Sequence, residues 1–405
     1  MLVAVIGGGA AGMAAAYAAA DKGAQVVLFE QNEKLGKKVY ISGKGRCNLT
    51  NDSPIENHVK NVVSNPRFLY SAYHAFPPED LIALIESTGV SLKTERGGRV
   101  FPVSDKASDV ISAWQILLQK KNVAIRLNER ILSIEKNEER FLLRTSKGET
   151  SADRVILATG GFTYQATGST GDGYRFAEAF GHSLVPLCPS LVGLKVNIPI
   201  ELAGLSLKNV AITVKKGGKT VYADFGEMLF THSGVSGPMI LSASAKINRL
   251  DLADVMISID LKPALTPEVL DERLLRELSA GSNKILRNVM PTLLPKSLID
   301  FVLRQAKIDP MTPCHSVTKA ERGELVNTLK GLTIRPTGFE EFNGAIVTAG
   351  GVSVREVDPK DMQSKLVKGL FFAGELLDVD AMTGGYNLQI AFSTGYLAGL
   401  GAANA

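Results

Sequence analysis

Two short apolar runs with an alanine-rich stretch between them open the chain. Leu2–Ile6 and Gln25–Phe29 are each apolar over the length of a strand, and Met13–Ala20 consists mostly of strong helix formers. A strand, a helix and a second strand within about 30 residues predict a β-α-β unit with parallel strands. Val155–Ala158 and Gly369–Ala373 have the same short apolar pattern and are predicted to be buried strands.

The pattern changes twice in the middle of the chain. From about Leu187 to Leu261, short alternating runs are separated by Gly, Lys and Asp, which predicts an antiparallel sheet or barrel. From Thr266 to Leu329 the periodicity is helical, and Thr266 before Pro267 is expected to cap the first helix. We therefore predict an α/β chain of three domains. These are a Rossmann-like domain over residues 1–186 and 350–405, a β-barrel domain over 187–263 and 331–349, and an inserted small helical domain over 264–330.

Three further segments complete the predicted secondary structure. Glycine, lysine and polar residues from Gln31 to Ser53 predict a long loop, and long loops of this kind often carry function. Phe342–Thr348 is predicted to be a strand, and a final helix is expected from about Asn387 to Leu400.

The composition is that of a folded globular protein. The chain has 405 residues, of which 45% are hydrophobic and 21% charged, and this excludes a disordered chain, a fibre and a disulfide-stapled module. Its three cysteines, Cys47, Cys188 and Cys314, lie far apart, which fits a reducing cytoplasm and offers no zinc-type spacing. We expect a cytoplasmic protein, because the amino terminus lacks a signal-peptide pattern and no apolar run approaches the roughly 18 residues of a membrane span.

A dinucleotide fingerprint follows the first predicted strand. Gly7, Gly9 and Gly12 have the G-x-G-x-x-G spacing, with Ala10 and Ala11 between the last two glycines. These glycines permit a tight turn, a close backbone approach to a pyrophosphate and close packing of the helix on the sheet. Glu30, at the end of the second strand, is placed to accept hydrogen bonds from the ribose hydroxyls of an adenosine. The alternative is a glycine-rich turn without a ligand, which this context disfavours.

The far end of the chain favours FAD over NAD as the bound dinucleotide. Gly369–Glu375 is a strand that ends in an acid, and Thr383–Gln389 then begins a helix. This arrangement resembles that of FAD enzymes of the glutathione reductase-like superfamily, in which the acid meets the ribityl chain and the helix N-terminus faces the flavin. A helix N-terminus stabilises the negative charge of a reduced flavin. The run from Ala158 through Thr159 and Gly160 to Gly161 is similar to the middle strand of that superfamily.

Three signatures make the resemblance specific. Ile41–Asn51, Phe230–Pro238 and the pair Gly374–Asp378 and Gly384–Asn387 resemble those of the aminoacetone oxidase-like, or BaiN-type (YhiN-type), family of NAD(P)/FAD-dependent oxidoreductases. The resemblance implies one non-covalent FAD in a chain of Rossmann-like, β-barrel and helical domains. The residues expected to contact it are Gly7, Gly9, Ala10, Ala11, Gly12, Glu30, Gln31, Lys38, Gly43, Gly45, Arg46, Cys47, Asn48, Ile131, Ala158, Thr159, Gly160, Gly161, Gly374, Glu375, Gly385, Tyr386, Asn387 and Leu388. The glycine-rich loop Gly168–Gly173 is similar to loops that line FAD in relatives, but it is equally compatible with a simple connection.

Two residues are catalytic candidates. Cys47 is a possible proton donor or redox partner, although a small packing residue is the commoner role for such a cysteine. His232, in a loop of turn-forming residues, is a candidate general acid, with a structural histidine as the alternative. Arg46 is expected to clamp a phosphate or the substrate rather than to be a solvated surface arginine.

The expected reaction is reduction of an activated C=C bond. In the resembling family, some members are aminoacetone oxidases, others reduce unsaturated bile-acid intermediates, and others form dihydrouridine in ribosomal RNA. Only one complete fingerprint is present, so NAD(P)H, if it is the donor, has to visit the flavin transiently. The net charge of +4 and the basic cluster of Lys34, Lys37, Lys38, Lys44 and Arg46 permit a small-molecule or an rRNA substrate. The alternatives are an amine oxidase that uses oxygen and an FAD-stabilised RNA-binding protein without turnover; the oligomeric state stays open.

Overall fold

Strands and helices in the computed structural model, which describes residues 1–404, fall into two units. The first unit comprises residues 1–190 and 342–404, and the second comprises residues 191–341. The strands are β1 Leu2–Ile6, β2 Gln25–Phe29, β3 Thr50–Asn51, β4 Leu92–Glu95, β5 Arg99–Pro102, β6 Ala124–Arg126, β7 Ile131–Lys136, β8 Phe141–Thr145, β9 Gly148–Ala152, β10 Arg154–Leu157, β11 Leu184–Ser190, β12 Leu194–Val196, β13 Ser206–Lys216, β14 Lys219–Phe230, β15 Gly234–Ser236, β16 Val255–Asp260, β17 Leu332–Ile334, β18 Pro336–Phe339, β19 Val347–Val352 and β20 Leu370–Phe372. The α-helices are α1 Ala10–Asp21, α2 Lys37–Ile41, α3 Ile55–Asn61, α4 Tyr70–Ala75, α5 Pro78–Glu86, α6 Ala107–Lys120, α7 Asp172–Ala179, α8 Pro238–Ile247, α9 Pro267–Ala280, α10 Leu286–Val289, α11 Lys296–Gln305, α12 Lys319–Lys330 and α13 Tyr386–Asn404.

A parallel sheet is the centre of the first unit. Its strand order is β20-β10-β1-β2-β6, and every neighbouring pair is parallel. Val5 and Ile156 are completely buried, as expected for strands covered on both faces. Because Ile6 lies opposite both Leu157 and Phe29, the carboxyl ends of the central strands meet at one edge of the sheet. The β-α-β unit predicted from the sequence is confirmed.

Helices α1 and α13 pack against each other with their backbones nearly touching. A Cβ atom placed on Gly395 would lie 2.1 Å from the carbonyl oxygen of Ala11, and one on Gly399 would lie 2.3 Å from that of Ala15. Nearly all of α1 is buried, which explains why it is built from alanine rather than from an amphipathic pattern. Small residues in both helices are therefore required for α1, which follows the glycine-rich turn, to pack this closely against α13.

The second unit combines an antiparallel sheet with helices. The sheet order is β17-β16-β13-β14-β15-β12-β18, and only Arg335 separates the two edge strands β17 and β18. The edges must therefore approach each other, which curls the sheet as predicted for a barrel domain. Helices α9 to α12 share one hydrophobic core with this sheet. As predicted, Thr266 caps α9, its hydroxyl oxygen accepting a hydrogen bond from the backbone N–H of Val269 at 3.3 Å.

Three segments differ from the sequence-based expectation. The predicted loop Gln31–Ser53 contains α2, a 3₁₀ turn at Ser42–Gly45 and β3, because single apolar residues such as Val39 and Leu49 anchor it in the core. The strand expected from Phe342 begins only at Val347, after a 3₁₀ turn at Phe342–Gly344. The last helix extends to Asn404, beyond the expected end near Leu400. Within residues 1–404, no helix is long and apolar enough to cross a membrane.

Buried His182 ties down the connection between β19 and β20. Its side chain has no solvent exposure, its Nδ1 lies 3.2 Å from Glu356 Oε2, and its Nε2 lies 2.7 Å from Ser364 Oγ. The Ser364 oxygen also accepts hydrogen bonds from the backbone N–H groups of Leu366 and Val367. The hydroxyl proton must therefore point to Nε2, which requires a neutral imidazole with its proton on Nδ1. Burial lowers the pKa of His182, and this outweighs the opposing effect of Glu356.

We predict that Gly399→Ala destabilises the first unit by about 1–3 kcal/mol, because the added methyl group overlaps the backbone of α1. Gly323→Ala in α12 is the matched control, since a Cβ there meets no atom within 4 Å. That change should stabilise the second unit by about 0.5–1 kcal/mol. Calorimetric unfolding of both variants measures the two effects, and equal changes of the same sign would contradict the packing argument.

We also predict that acid destabilises the first unit through His182. Its pKa is lower in the folded than in the unfolded chain, so its contribution to stability is complete above about pH 6.5 and declines as the pH falls below that value. Urea unfolding between pH 8 and pH 5.5 can be followed by the fluorescence of Trp114, the chain's single tryptophan. His182→Gln should be less stable at pH 8 but show a shallower loss in acid. His74→Gln, at an exposed position of α4, should keep the wild-type pH dependence; equal slopes in all three proteins would contradict this explanation.

Candidate functional site

A cleft lies at the carboxyl ends of strands β1, β2, β10 and β20. It contains about 1360 Å³ of empty space, counting the open solvent at its mouth, and its lining comes from the first unit alone. This edge of a parallel sheet is where open α/β folds bind their ligands. Of the residues expected to bind FAD, those that line the cleft are Gly7, Gly9, Ala10, Ala11, Glu30, Gln31, Lys38, Ile131, Ala158, Thr159, Gly160, Gly374, Glu375, Asn387 and Leu388.

The three fingerprint glycines meet three different steric demands. Gly7 has φ +105°, and a Cβ there would lie 2.4 Å from the carbonyl oxygen of Ala158. A Cβ on Gly12 would lie 1.8 Å from the carbonyl oxygen of Gly7. A Cβ on Gly9 would meet no atom within 4 Å, and Gly9 itself lines the cleft. Since Gly9 is also the N-cap of α1, the first N–H groups of that helix are offered to an anion in the cleft.

Glu30 has a fixed orientation at the end of β2. One carboxylate oxygen accepts a hydrogen bond from the backbone N–H of Gly8 at 2.8 Å, and the other accepts two from Asn32, at 2.8 Å and 2.6 Å. The side chain is 9% exposed, so its remaining hydrogen-bonding capacity is directed into the cleft that it lines. This arrangement suits the hydroxyl groups of a ribose.

The second glycine-rich loop covers the same end of the cleft. Gln31 Nε2 donates to the carbonyl oxygen of Gly168 at 2.7 Å, and Asn32 Nδ2 donates to that of Thr167 at 3.0 Å. Sequence reasoning did not identify the neighbouring pair of Arg130 and Asp172, which lines the cleft with two hydrogen bonds of 2.9 Å. Their spacing of 42 residues carries no sequence motif, so only the fold reveals the pair.

Lys38 and Glu375 form an ion pair on the cleft wall. Lys38 Nζ lies 2.6 Å from Glu375 Oε2 and donates a further hydrogen bond to Thr163 Oγ1 at 2.7 Å. The other carboxylate oxygen of Glu375 accepts from the backbone N–H of Thr348 at 2.8 Å. Gly161 lies behind this network, and a Cβ there would be 2.8 Å from Glu375 Oε1. Two residues far apart in sequence therefore hold the acid at the end of β20 in place.

The first and third signatures meet at the start of α13. Asn48, with its amide oriented to satisfy both neighbours, donates to the carbonyl oxygen of Thr50 and accepts from the backbone N–H of Gly385. Gly385 has φ +102°, and a Cβ there would lie 2.3 Å from the Thr50 oxygen. Asn387 folds back onto the preceding loop through hydrogen bonds with Ala381. These contacts aim the N-terminus of the 19-residue helix α13 at the cleft.

The other residues expected to bind FAD are not among those lining the cleft: Gly12, Gly43, Gly45, Arg46, Cys47, Asn48, Gly161, Gly385 and Tyr386. The guanidinium of Arg46 is paired with Glu95 and with Asp105, and it stacks 4.1 Å from the ring centroid of Phe101. Hydrogen bonds from Arg46 lower the pKa of Glu95. The guanidinium expected to clamp a phosphate or the substrate is thus already paired with two carboxylates.

The two catalytic candidates have very different surroundings. Cys47 is completely buried in the core of the first unit, and burial raises the pKa of its thiol to about 12. Its backbone is left-handed, with φ +59°. His232 belongs to the second unit, where it is exposed between β14 and β15 and adjoins Ser233, whose hydroxyl donates to Glu340.

The donor set of the cleft fits an FAD molecule. Glu30 suits a ribose, the open N-terminus of α1 suits a pyrophosphate, and the N-terminus of α13 suits the negative edge of a flavin. The hydroxyl of Thr159 is buried without a hydrogen-bond partner among the described residues, and it lies against Gly173, where an added Cβ would be 2.0 Å from it.

Comparisons with known proteins identify the family of this chain. The family described as HI0933-like protein Rossmann domain matches residues 1–401. The chain is 33% identical to the 3-dehydro-bile acid delta(4,6)-reductase of Clostridium scindens, over 99% of this chain and 98% of that protein. It is 32% identical to the ribosomal RNA dihydrouridine synthase of Escherichia coli, over 97% of this chain and 95% of that protein.

Solved structures show the same fold at low sequence identity. The 3-ketosteroid delta1-dehydrogenase of Sterolibacterium denitrificans matches with a TM-score of 0.53 and 14% identity over 99% of both chains. The 3-ketosteroid-delta4-(5alpha)-dehydrogenase of Rhodococcus jostii matches with a TM-score of 0.51 and 16% identity, over 99% of this chain and 96% of the other. The predicted α/β architecture with a Rossmann-like domain is confirmed. The protein is an FAD-dependent oxidoreductase and belongs to the HI0933-like Rossmann family.

Proposed function

We propose that this protein is a cytoplasmic reductase that uses NAD(P)H and FAD to saturate an activated C=C bond. The full-length similarity to two relatives with different substrates carries the proposal. One relative is named a delta(4,6)-reductase of a bile acid, and the other makes dihydrouridine in ribosomal RNA. Dihydrouridine is uridine with one C=C bond saturated, so both names describe the addition of hydrogen across a conjugated double bond. The substrate is accordingly an enone or a uracil ring, in a small molecule or in rRNA.

The cleft residues divide the task of holding the cofactor. Glu30 binds the adenosine ribose, and the first turn of α1 binds the pyrophosphate through backbone N–H groups. Glu375, kept in place by Lys38, binds the ribityl hydroxyls. The N-terminus of α13 stabilises negative charge on the flavin ring. Bound flavin supplies a hydride from N5. The remaining predicted contacts with FAD, which belong to the same proposal, are Gly43, Gly45, Arg46, Cys47, Asn48 and Tyr386.

Completing the reduction requires a proton. Hydride adds to the β-carbon of the activated double bond, a proton adds to the α-carbon, and NAD(P)H is oxidised to NAD(P)⁺. We propose His232 as the proton donor, because an exposed imidazole can exchange its proton with water between turnovers. Cys47 is the weaker candidate, because a completely buried thiol with a pKa of about 12 gives up its proton reluctantly near neutral pH.

Gly9→Val should remove FAD while leaving the fold intact. The backbone at Gly9 is extended, with φ −79° and ψ −169°, and its side-chain direction is open, so the apoprotein should keep its stability within about 0.5 kcal/mol. The valine side chain would lie in the proposed path of the pyrophosphate. We expect the affinity for FAD to fall at least about tenfold, a loss of about 1.4 kcal/mol or more of binding free energy. The ratio of visible to ultraviolet absorbance after gel filtration measures the retained FAD. Gly12→Ala is the contrasting variant and should lose fold and FAD together; full FAD retention by Gly9→Val would place the pyrophosphate elsewhere.

Anaerobic mixing with NADPH and with NADH tests the reductase. At least one of them should bleach the flavin, oxygen should reoxidise it slowly, and a conjugated enone or a uracil-containing RNA should reoxidise it rapidly. His232→Ala should leave the bleaching step unchanged and slow reoxidation by the substrate about 100-fold or more. Cys47→Ala should keep the wild-type rate of that step.

Two results would reject the assignment as a reductase. Bleaching by small amines but by neither nicotinamide, with fast reoxidation in air, would identify an amine oxidase. Salt-sensitive RNA binding without any flavin turnover would indicate a binding protein. An unchanged substrate rate in His232→Ala would remove His232 as the donor without affecting the assignment as a reductase.

A further inference from the structure

Three aromatic side chains form a buried cluster beside the start of α13. His58 on α3 and Tyr73 on α4 have no solvent exposure, and Tyr386 is 7% exposed. The His58 ring stands edge-on to both tyrosines, with centroids 5.5 Å from Tyr73 and 5.0 Å from Tyr386. None of the three is among the residues that line the cleft. The cluster therefore packs beside the start of α13 without lining the cleft.

The hydrogen bonds of His58 define its protonation state. Its Nε2 lies 2.9 Å from the backbone carbonyl oxygen of Asn51, which can only accept, so Nε2 carries the proton. Burial lowers the pKa of His58, which favours the neutral ring. Its Nδ1 is then a buried acceptor, and it has no hydrogen-bond partner among residues 1–404. An unsatisfied buried acceptor costs about 1–3 kcal/mol, which an apolar side chain at this position would avoid.

The contacts of His58 lead directly to the turn that starts α13. Asn51, held by His58 through its carbonyl oxygen, donates from Nδ2 to the carbonyl oxygen of Gly384 at 3.0 Å. Asn57, one residue before His58 on α3, donates to the hydroxyl oxygen of Tyr386 at 3.1 Å. Helix α3 therefore holds both ends of the turn Gly384–Tyr386.

That turn sets where the positive end of α13 lies. The next residues of the helix, Asn387 and Leu388, line the cleft. The partial positive charge of a helix N-terminus acts on groups within about one helical turn and weakens with distance. A small displacement of α13 would therefore change how well the cleft stabilises negative charge on a reduced cofactor relative to its neutral oxidised form.

We propose that His58 is a positioning residue, which fixes the N-terminus of α13 through Asn51 and Tyr386 and thereby raises the reduction potential of FAD bound in the cleft. The proposal rests on FAD binding but not on the identity of the substrate or of the electron donor. The hydrogen bond to Asn51 gives the imidazole a function that an apolar aromatic side chain at this position could not perform.

The test is the reduction potential of the flavin in the purified full-length protein. His58→Phe keeps the aromatic ring but removes the donor to Asn51. We expect it to bind FAD, with the ratio of affinities for reduced and oxidised flavin lowered about tenfold, equivalent to about 30 mV for a two-electron couple. His58→Gln places an amide N–H close to the position of Nε2 and should restore most of the wild-type potential. His74→Phe, on the exposed side of α4, is the control and should leave the potential unchanged.

The outcomes separate positioning from structural support. A merely structural role would weaken the binding of both redox forms equally and leave the potential as in the wild type, and that result would overturn the proposal. A potential lowered equally in His58→Phe and His58→Gln would overturn it too, because the hydrogen bond would then be irrelevant. If His58→Phe does not fold, Asn57→Ala is measured instead, because it removes the second contact from α3 to the same turn. It should lower the reduction potential by the same amount, and an unchanged potential would overturn the proposal. Since the potential is measured without substrate, failure of the reductase assignment would leave this result intact.

Discussion

Backbone-to-backbone packing around the first turn of α1 determines where the other parts of the cofactor cleft can lie. Gly12 contacts the carbonyl oxygen of Gly7, and Gly395 contacts that of Ala11. Gly374, at the end of β20, brings a third element against this turn, since a Cβ there would lie 2.8 Å from the Ala11 Cβ. The glycine turn, α13 and the end of β20 are thereby fixed against one helix end. The N–H groups of that end face the cleft because no side chain in these contacts is large enough to hold the elements apart.

Two pairs of oppositely charged side chains at the cleft are formed before any cofactor enters. Lys38 holds Glu375, and Arg130 holds Asp172. Preformed pairs of this kind lower the reorganisation needed on binding and keep the carboxylates in one orientation. The positive end of α13 can then respond to negative charge on a reduced flavin. Contacts that hold α13 in place are therefore a means of tuning the cofactor.

Local sequence patterns predicted the parts of the site that depend on neighbouring residues. The turn Gly7–Gly12, the acid at Glu30 and the strand ending in Glu375 each have a motif within a few residues, and each lies at the cleft. The pairs Arg130–Asp172 and Lys38–Glu375 join residues that are 42 and 337 positions apart, and no local pattern encodes such partners. Arg46 shows that a local motif also cannot reveal which distant residues pair with its side chain. Its motif suggested a phosphate clamp, but Glu95 and Asp105 come from elsewhere in the chain and occupy its guanidinium.

Several residues in the first signature and elsewhere in the first unit depart from ordinary conformational and hydrogen-bonding rules. Lys44 and Cys47 adopt left-handed backbone conformations, at φ +60° and +59°, where a side chain costs roughly 1–3 kcal/mol. His58 and Thr159 each carry a buried polar atom without a partner among the described residues. A chain selected for stability alone would have glycine at the strained positions and apolar side chains at the unsatisfied ones. The extensive core of the first unit offsets these costs. Left-handed residues other than glycine also occur far from the signature, from Asn65 to Met362, so such strain does not by itself mark the cofactor site.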